Sequence, residues 1–477
     1  MGELPRAIAR PAYDRHKVVP GIAHLSVGNF HRAHQAAYVE SCLADSGQAG
    51  WGICGIGVLD SEGERAKAVG FRQQDGLYGL SLFPARGAPS SRIIGAMVDY
   101  LHAPDDPAAA VARLADPTIR IVSMTITEGG YNLDEATGRF RLEAPGVVHD
   151  LANPQAPTTV FGLVVSALER RRAEGRAAFT VLSCDNLRHN GEAIRKAVLA
   201  FAGARDAGLA GWIERNVSFP NGMVDRITPA VGPADVARLN RLTGFEDRVP
   251  VFAEDFAQWV LEDRFCSGRP ALETAGVQFT DDVAGYEQIK LRMLNASHSM
   301  LAYPGLLAGY GVVHEAMADP RLHGLLRAFL DRDVIPLLTP PAGMSLAGYR
   351  DKVLERFSNP AINDQLARIA ADGATKIPVF LADTIRACLR AGGDHRRLAF
   401  LLAAFTRHLE GTPQEPRLTP ADLASVRDAD PAAPLRLSTF DGLGLADAPA
   451  FVSSYVGFRR RIADGAGLDM LAELARG

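Results

Sequence analysis

The segment Tyr286–Tyr310, YEQIKLRMLNASHSMLAYPGLLAGY, sets a lysine, an asparagine and a histidine among apolar residues that include Leu291 and Leu294. Wound as an α-helix at about 100° per residue, Lys290, Asn295 and His298 fall at about 0°, 140° and 80°, so the three side chains project within one sector. Leu291 and Leu294 beside the amine disfavour its ammonium form, and a neutral amine can take the proton of an alcohol. Taken one residue at a time, a plainer reading is the stronger: Lys290 points to solvent, Asn295 is a helix-surface amide and His298 is a satisfied core histidine. Three polar groups converging on one sector of an apolar helix are nevertheless costly unless hydrogen-bonded, which favours a site.

A second constellation is Ser26-Val27-Gly28-Asn29-Phe30-His31-Arg32-Ala33. Gly28 at a strand-to-helix turn lets the backbone approach a pyrophosphate, whose charge the start of the following helix stabilises. As a GxGxxG fingerprint only Gly28 fits, and a lone glycine there is more often just a turn residue. Two features favour a dinucleotide: this is the first βα turn, and Arg32 adds a cation beside the helix start. His31 and His34, spaced i, i+3 without a nearby carboxylate or cysteine, read as helix-surface or core residues rather than metal ligands. Asp60, closing the second strand, can accept hydrogen bonds from a ribose and repel a 2′-phosphate, favouring NAD over NADP. It also opens a capping-box pattern from Ser61 to Glu64, a purely structural role, and the nearby Arg65 and Lys67 leave NADP open.

The elements that position these residues follow from periodicity. Strands are expected at 18–28, 51–59, 120–127 and 179–184, with helices at 32–43, 61–69, 109–114 and 162–173. Strands alternating with helices imply a parallel, doubly wound sheet. Beyond residue 281 helix-compatible stretches follow one another (286–306, 321–335, 362–371, 379–391, 397–408), and 411–434, rich in Pro, Asp and Ala, reads as loops. The expected organisation is α/β: a Rossmann-type domain over 1–280 and a mostly helical domain over 281–477, with no repeat of fixed period.

At 477 residues the chain is longer than one core usually sustains. Its 47% hydrophobic and 22% charged content is that of an ordinary globular protein. A net charge of −4 without a basic run gives nucleic acid nothing to pair with. No apolar stretch reaches the ~18 residues of a membrane span. The first 17 residues lack a signal-like apolar run, so a cytoplasmic location is expected. Cys42, Cys54, Cys184, Cys266 and Cys388 are scattered and form no CxxC pair, which supports neither a disulfide framework nor a structural zinc site.

Seven blocks in one order carry a resemblance: HLSVGNFHRAHQ (24–35), QDGLY (74–78), TITEGGY (125–131), CDNLRHNG (184–191), FPNGMVDRITP (219–229), KLRMLNASHS (290–299) and NPAINDQLARIAADGATKIP (359–378). Over nearly its whole length the chain resembles the polyol-specific long-chain dehydrogenases, the mannitol 2-dehydrogenase type, to which the fructuronate and tagaturonate reductases are related. The resemblance implies a Rossmann-type domain, a helical C-terminal domain, a substrate cleft between them, a polyol or ketose substrate, metal-free chemistry and a monomer. By motif, Lys290 is expected as general base, with Asn186 and Asn295 hydrogen-bonding the substrate oxygen. His298, Asp225, Arg368 and Lys376 are expected to position the polyol. Cofactor contacts are assigned to Gly28, Asn29, Phe30, Arg32, Asp60, Thr127 and Glu128. Glu128 has two readings, tuning or hydrating Lys290 or capping a helix. Ser26 departs from the family, which usually carries a glycine there. The leading expectation is NAD-dependent interconversion of D-mannitol and D-fructose. Alternatives are another polyol (sorbitol, arabinitol), a uronate reductase in which Arg368 and Lys376 meet the carboxylate, and a dinucleotide sensor without turnover, against which the intact Lys290, Asn295 and His298 set argues.

Overall fold

A computed structural model of the protein describes residues 8–134, 137–412, 415 and 417–476. The chain divides into two compact units, Met1–Ala284 and Gly285–Gly477.

Among the described residues the first unit carries β1 (Pro20–Leu25), β2 (Gly52–Gly57), β3 (Tyr78–Phe83), β4 (Ser90–Ile94), β5 (Met97–His102), β6 (Ile121–Met124), β7 (Thr180–Ser183), β8 (Gly222–Asp225), β9 (Val251–Glu254), β10 (Gln258–Leu261) and β11 (Gln278–Phe279). Five form an all-parallel sheet in the order β5-β2-β1-β6-β7. Its strands carry apolar residues on both faces because both are covered. Ala23, Leu25, Ile56, Val122 and Val181 pack on one side with the helices Pro107–Ala115, Val160–Ala173 and Asn190–Arg205. Ile22, Ile53, Ile121 and Leu182 pack on the other side with the helix Gln35–Cys42 and residues of the two small sheets. The chain runs outward through β1, β2 and β5, then returns to β6 and β7 beside β1, so the order reverses between β1 and β6. That reversal opens a crevice at the carboxyl ends of the strands, where open α/β sheets bind ligands.

The four expected strands are present with shorter bounds. The edge strand β5 and the small sheets β4-β3-β9 and β11-β10-β8 were not foreseen, because their short, mixed-polarity runs lack a clean period. The helix expected at 32–43 is two pieces, Asn29–Ala33 and Gln35–Cys42, broken at His34 (φ −115°, ψ −89°).

The second unit is helical, as expected. Its core is built from the helices Ala296–Leu307, Pro320–Ala328, Gly373–Ala391, Arg396–Gly411 and Pro449–Ala463. The span 411–434 is not all loop, since Pro420–Val426 is a helix with a Thr419–Asp422 capping box. No helix among the described residues is long and apolar enough to cross a membrane.

Candidate active site

In the first unit the candidate residues gather at the carboxyl ends of β1, β2, β6 and β7. The turn after β1 is held by local bonds: Ser26 N–H donates to Ile56 O (2.9 Å), Gly28 N–H to Ser26 O (2.9 Å) and the Thr125 hydroxyl to Ser26 O (2.9 Å). Ser26 itself lies at φ +71°, a left-handed conformation that glycine adopts freely and serine does not. Ser26 therefore meets a backbone demand suited to glycine under strain. Gly28 has an ordinary φ, and a Cβ built there meets nothing within 4 Å, so the turn faces open space.

Beneath the turn lies a polar network that sequence reasoning missed. His24 Nδ1 is 2.8 Å from Ser123 Oγ and its Nε2 is 3.1 Å from Thr125 Oγ1. The His31 ring stacks on it at 3.5 Å and bonds Gln35 Oε1 at 3.1 Å. Burial pushes His24 down to about 3 and His31 well below its ordinary value. Polar residues interrupting the apolar strands AHLS and VSMT were the available signal.

Arg32 lies beside the helix start and is buried: its guanidinium donates to Gly28 O (3.3 Å), to Asn29 Oδ1 and to Val249 O, and lies 5.6 Å from the Tyr78 ring. Asn29 Nδ2 donates to Pro229 O at 3.1 Å. A second cation at the turn is Lys67, whose Nζ donates to Val27 O (2.9 Å) and Glu64 Oε1 (2.6 Å). Asp60, exposed at the end of β2, is paired with Arg65. Phe30 stacks on His34 at 4.8 Å.

Thr127 and Glu128 are exposed in a short helical turn after β6, with Thr127 at φ +62°. Ser26, Val58, Leu59, Thr125, Thr127 and Gly129 help line a cavity of about 480 Å³, within the range of small-ligand sites. A parallel-sheet switch point, an open glycine turn and this cavity together fit a dinucleotide. The helix dipole contributes less than the sequence suggested, because only five residues precede the break at His34.

Asn186 is exposed in the loop after β7 and Asp225 is buried at the end of β8. The surrounding motifs have structural reasons. Asn190 Nδ2 donates to Gly222 O (2.8 Å) and its Oδ1 accepts from Gly222 N–H (2.9 Å). Asn221 Oδ1 accepts from the N–H groups of Gly191 and Glu192, opening the helix Asn190–Arg205. A Cβ at Gly191 would lie 2.5 Å from Pro220 O, so only glycine fits.

In the second unit the expectation of a regular α-helix through Lys290 is corrected. Val283–Ile289 is α-helical, Lys290–Asn295 is a π turn and Ala296–Leu307 is α-helical again. A π turn closes hydrogen bonds from i to i+5, as Ala296 N–H does to Leu291 O. Lys290 and Asn295 are also five apart, so they stand one π turn above one another instead of about 140° apart on an α-helix. Both are 8% exposed. Asn295 Nδ2 has no hydrogen-bond partner among the described residues, an orphaned donor of the kind a ligand oxygen satisfies. His298, half-buried, stacks on Phe357 at 4.2 Å. Arg368 is exposed and forked onto Asp364 (2.6 Å), and Lys376 Nζ donates to Ala371 O (2.6 Å) and Ile369 O (3.3 Å). Among the described residues no three His, Cys, Asp or Glu side chains group as a metal site.

Family profiles for the mannitol dehydrogenase Rossmann domain and the mannitol dehydrogenase C-terminal domain match residues 20–274 and 282–456. The chain is 50% identical to the polyol:NADP oxidoreductase of Gluconobacter oxydans (strain 621H), over 92% of each chain. It is 43% identical to the mannitol 2-dehydrogenase of Cereibacter sphaeroides, over 86% of this chain and 85% of that one. Among solved structures, a D-sorbitol dehydrogenase in substrate-free form superposes with a TM-score of 0.92 at 47% identity, covering 98% of each chain. The Pseudomonas fluorescens mannitol 2-dehydrogenase, in a ternary complex with NAD and D-mannitol, superposes at 0.86 and 41% identity, covering 99% of this chain and 98% of that one. With both family profiles in order and relatives at this identity over most of their length, the chain belongs to the mannitol dehydrogenase family of oxidoreductases.

Proposed function

We propose that the chain oxidises a secondary hydroxyl of a polyol to the ketose, with D-mannitol and D-fructose the leading pair, using NAD and no metal. The observation that carries the reading is the π turn that stacks buried Lys290 and Asn295 and leaves an amide donor of Asn295 unpartnered. In this reading Lys290 Nζ takes the hydroxyl proton, while Asn295 and Asn186 donate N–H to the oxygen as it gains alkoxide character. The nicotinamide ring, when bound, supplies the acceptor for the hydride. His298 and Asp225 orient the polyol.

Arg368 and Lys376 are assigned to positioning the polyol, with Arg368 forked onto Asp364 and Lys376 Nζ donating to the carbonyls of Ile369 and Ala371. That commitment weighs against a uronate reductase, which needs a cation for the substrate carboxylate. Gly28, Asn29, Phe30, Asp60, Thr127 and Glu128 are assigned to the dinucleotide, with Arg32 supporting the turn from inside. Asp60 favours NAD. A second reading, D-sorbitol with NADP, is favoured by Arg65 beside Asp60 and by the likeness to the polyol:NADP oxidoreductase and the D-sorbitol dehydrogenase.

The test is a panel of D-mannitol, D-sorbitol and D-arabinitol, with fructose and fructuronate in the reverse direction, each with NAD(H) and NADP(H) and with and without EDTA. The expected outcome is highest kcat/KM on mannitol with NAD, unchanged by chelation. Turnover confined to the uronate, or activity lost to EDTA and restored by metal, contradicts the reading.

A further inference from the structure

The loop after β7 carries, one residue before Asn186, a buried carboxylate that the mechanism above does not use. Asp185 is 8% exposed. Its Oδ2 accepts from Ile126 N–H (2.9 Å) and the Tyr131 hydroxyl (2.8 Å), and its Oδ1 accepts from Thr127 N–H (2.9 Å). The same Tyr131 hydroxyl bonds Ser183 Oγ at the end of β7. A single carboxylate thus ties the end of β6 to the end of β7. The residue it holds through the backbone, Thr127, is β-branched and at φ +62°, a conformation that persists only when its surroundings over-determine it.

Burial works against such a group: it raises the Asp185 carboxyl, opposed by the Ile126 N–H, the Tyr131 hydroxyl and the Thr127 N–H, while the charge of Glu128 raises it further. A carboxylate kept in so unfavourable a place, with each oxygen bonded to an N–H of one strained turn, has a task beyond packing.

We propose that Asp185 is a positioning residue for oxidation: its two oxygens lock the strained Ile126–Thr127 turn to the loop bearing Asn186, fixing the Asn186 amide relative to the dinucleotide-side residues Thr127 and Glu128. The inference rests on the assignment of Asn186 to the substrate oxygen. Asparagine at 185 is isosteric but keeps one acceptor oxygen and turns an N–H donor toward the other backbone donor, so one amide of the pair loses its partner.

The test uses the full-length chain carrying Asp185→Asn, assayed with whichever polyol the wild type turns over. The expected result is a loss of about 10- to 100-fold in kcat, the scale of a small misplacement of a reacting group. KM and dinucleotide Kd should stay within about threefold, and a primary deuterium effect on the carbinol C–H should become larger. Unchanged kcat per folded molecule beside a lowered Tm would show a merely structural carboxylate and overturn the proposal. Residue-resolved hydrogen exchange on the wild type needs no variant to fold: the Ile126 and Thr127 amides should exchange as slowly as the interior of β6, and exchange at the rate of an exposed loop overturns the clamp. If the wild type turns over no polyol at all, the reading of the preceding section fails while the exchange result still decides whether the clamp exists.

Discussion

At the scale of single residues, the argument for chemistry turns on polar groups in surroundings that give them no other reason to be there. Asn295 is the clearest, since its amide nitrogen is buried with no partner among the described residues. Replacing it by leucine, of similar volume, removes a donor that contributes nothing to the fold, so Tm should hold or rise. Loss of an oxyanion donor should lower kcat by about 10²- to 10³-fold. Unaltered kcat in Asn295→Leu would take this side chain out of the mechanism. Ser26 presents the opposite case, a residue poorly suited to its left-handed backbone. Ser26→Gly should raise unfolding stability by about 0.5–1 kcal/mol in urea titration, because relief of the left-handed conformation exceeds the added freedom of the unfolded chain. A less stable variant would show that Ser26 is not strained. Lys290, Asn295 and His298 were legible as polar interruptions of an apolar helix. Asp185 was not, because an acidic residue at a strand end looks like any helix cap, and its value lies in bonds to a turn nearly sixty residues earlier.

At the scale of elements, four strands of the sheet were readable because buried parallel strands are short and mostly apolar, whereas the edge strand β5, with Asp99 and His102, was not. The π turn at Lys290–Asn295 was not readable: the residues of a π turn are ordinary helix formers, and the turn differs from an α-helix in which carbonyl each N–H meets and in the phase of the side chains beyond it. Nor was the inward turn of Arg32, since a cation at a helix start looks the same in sequence whether it faces a phosphate or the carbonyl of Val249. The histidine pair under the turn after β1 gives a pH signature at this scale. His24 is neutral when folded, with its value down at about 3 against 6.5 when free, chiefly through burial. As pH falls below 6.5 the unfolded chain takes up a proton that the folded chain refuses, so stability drains away from about pH 6.5 toward pH 3. His31 adds to the same loss. Urea midpoints measured between pH 7 and 4 should fall with pH, and His24→Gln should flatten the slope. An unchanged slope in the variant would mean that His24 is not buried neutral.

At the scale of the whole molecule, the two units divide the proposed work by sequence. The first bears the assigned dinucleotide residues at its strand ends, and the second bears the assigned base on its π turn. Binding of the nucleotide and removal of the proton should therefore be separable by one substitution. The decisive measurement is Lys290→Ala, compared with the wild type in single-turnover oxidation of the preferred polyol near neutral pH and in direct titration with the dinucleotide. The account predicts that the variant binds the nucleotide with nearly unchanged Kd and shows no measurable oxidation; turnover equal to the wild type would contradict it.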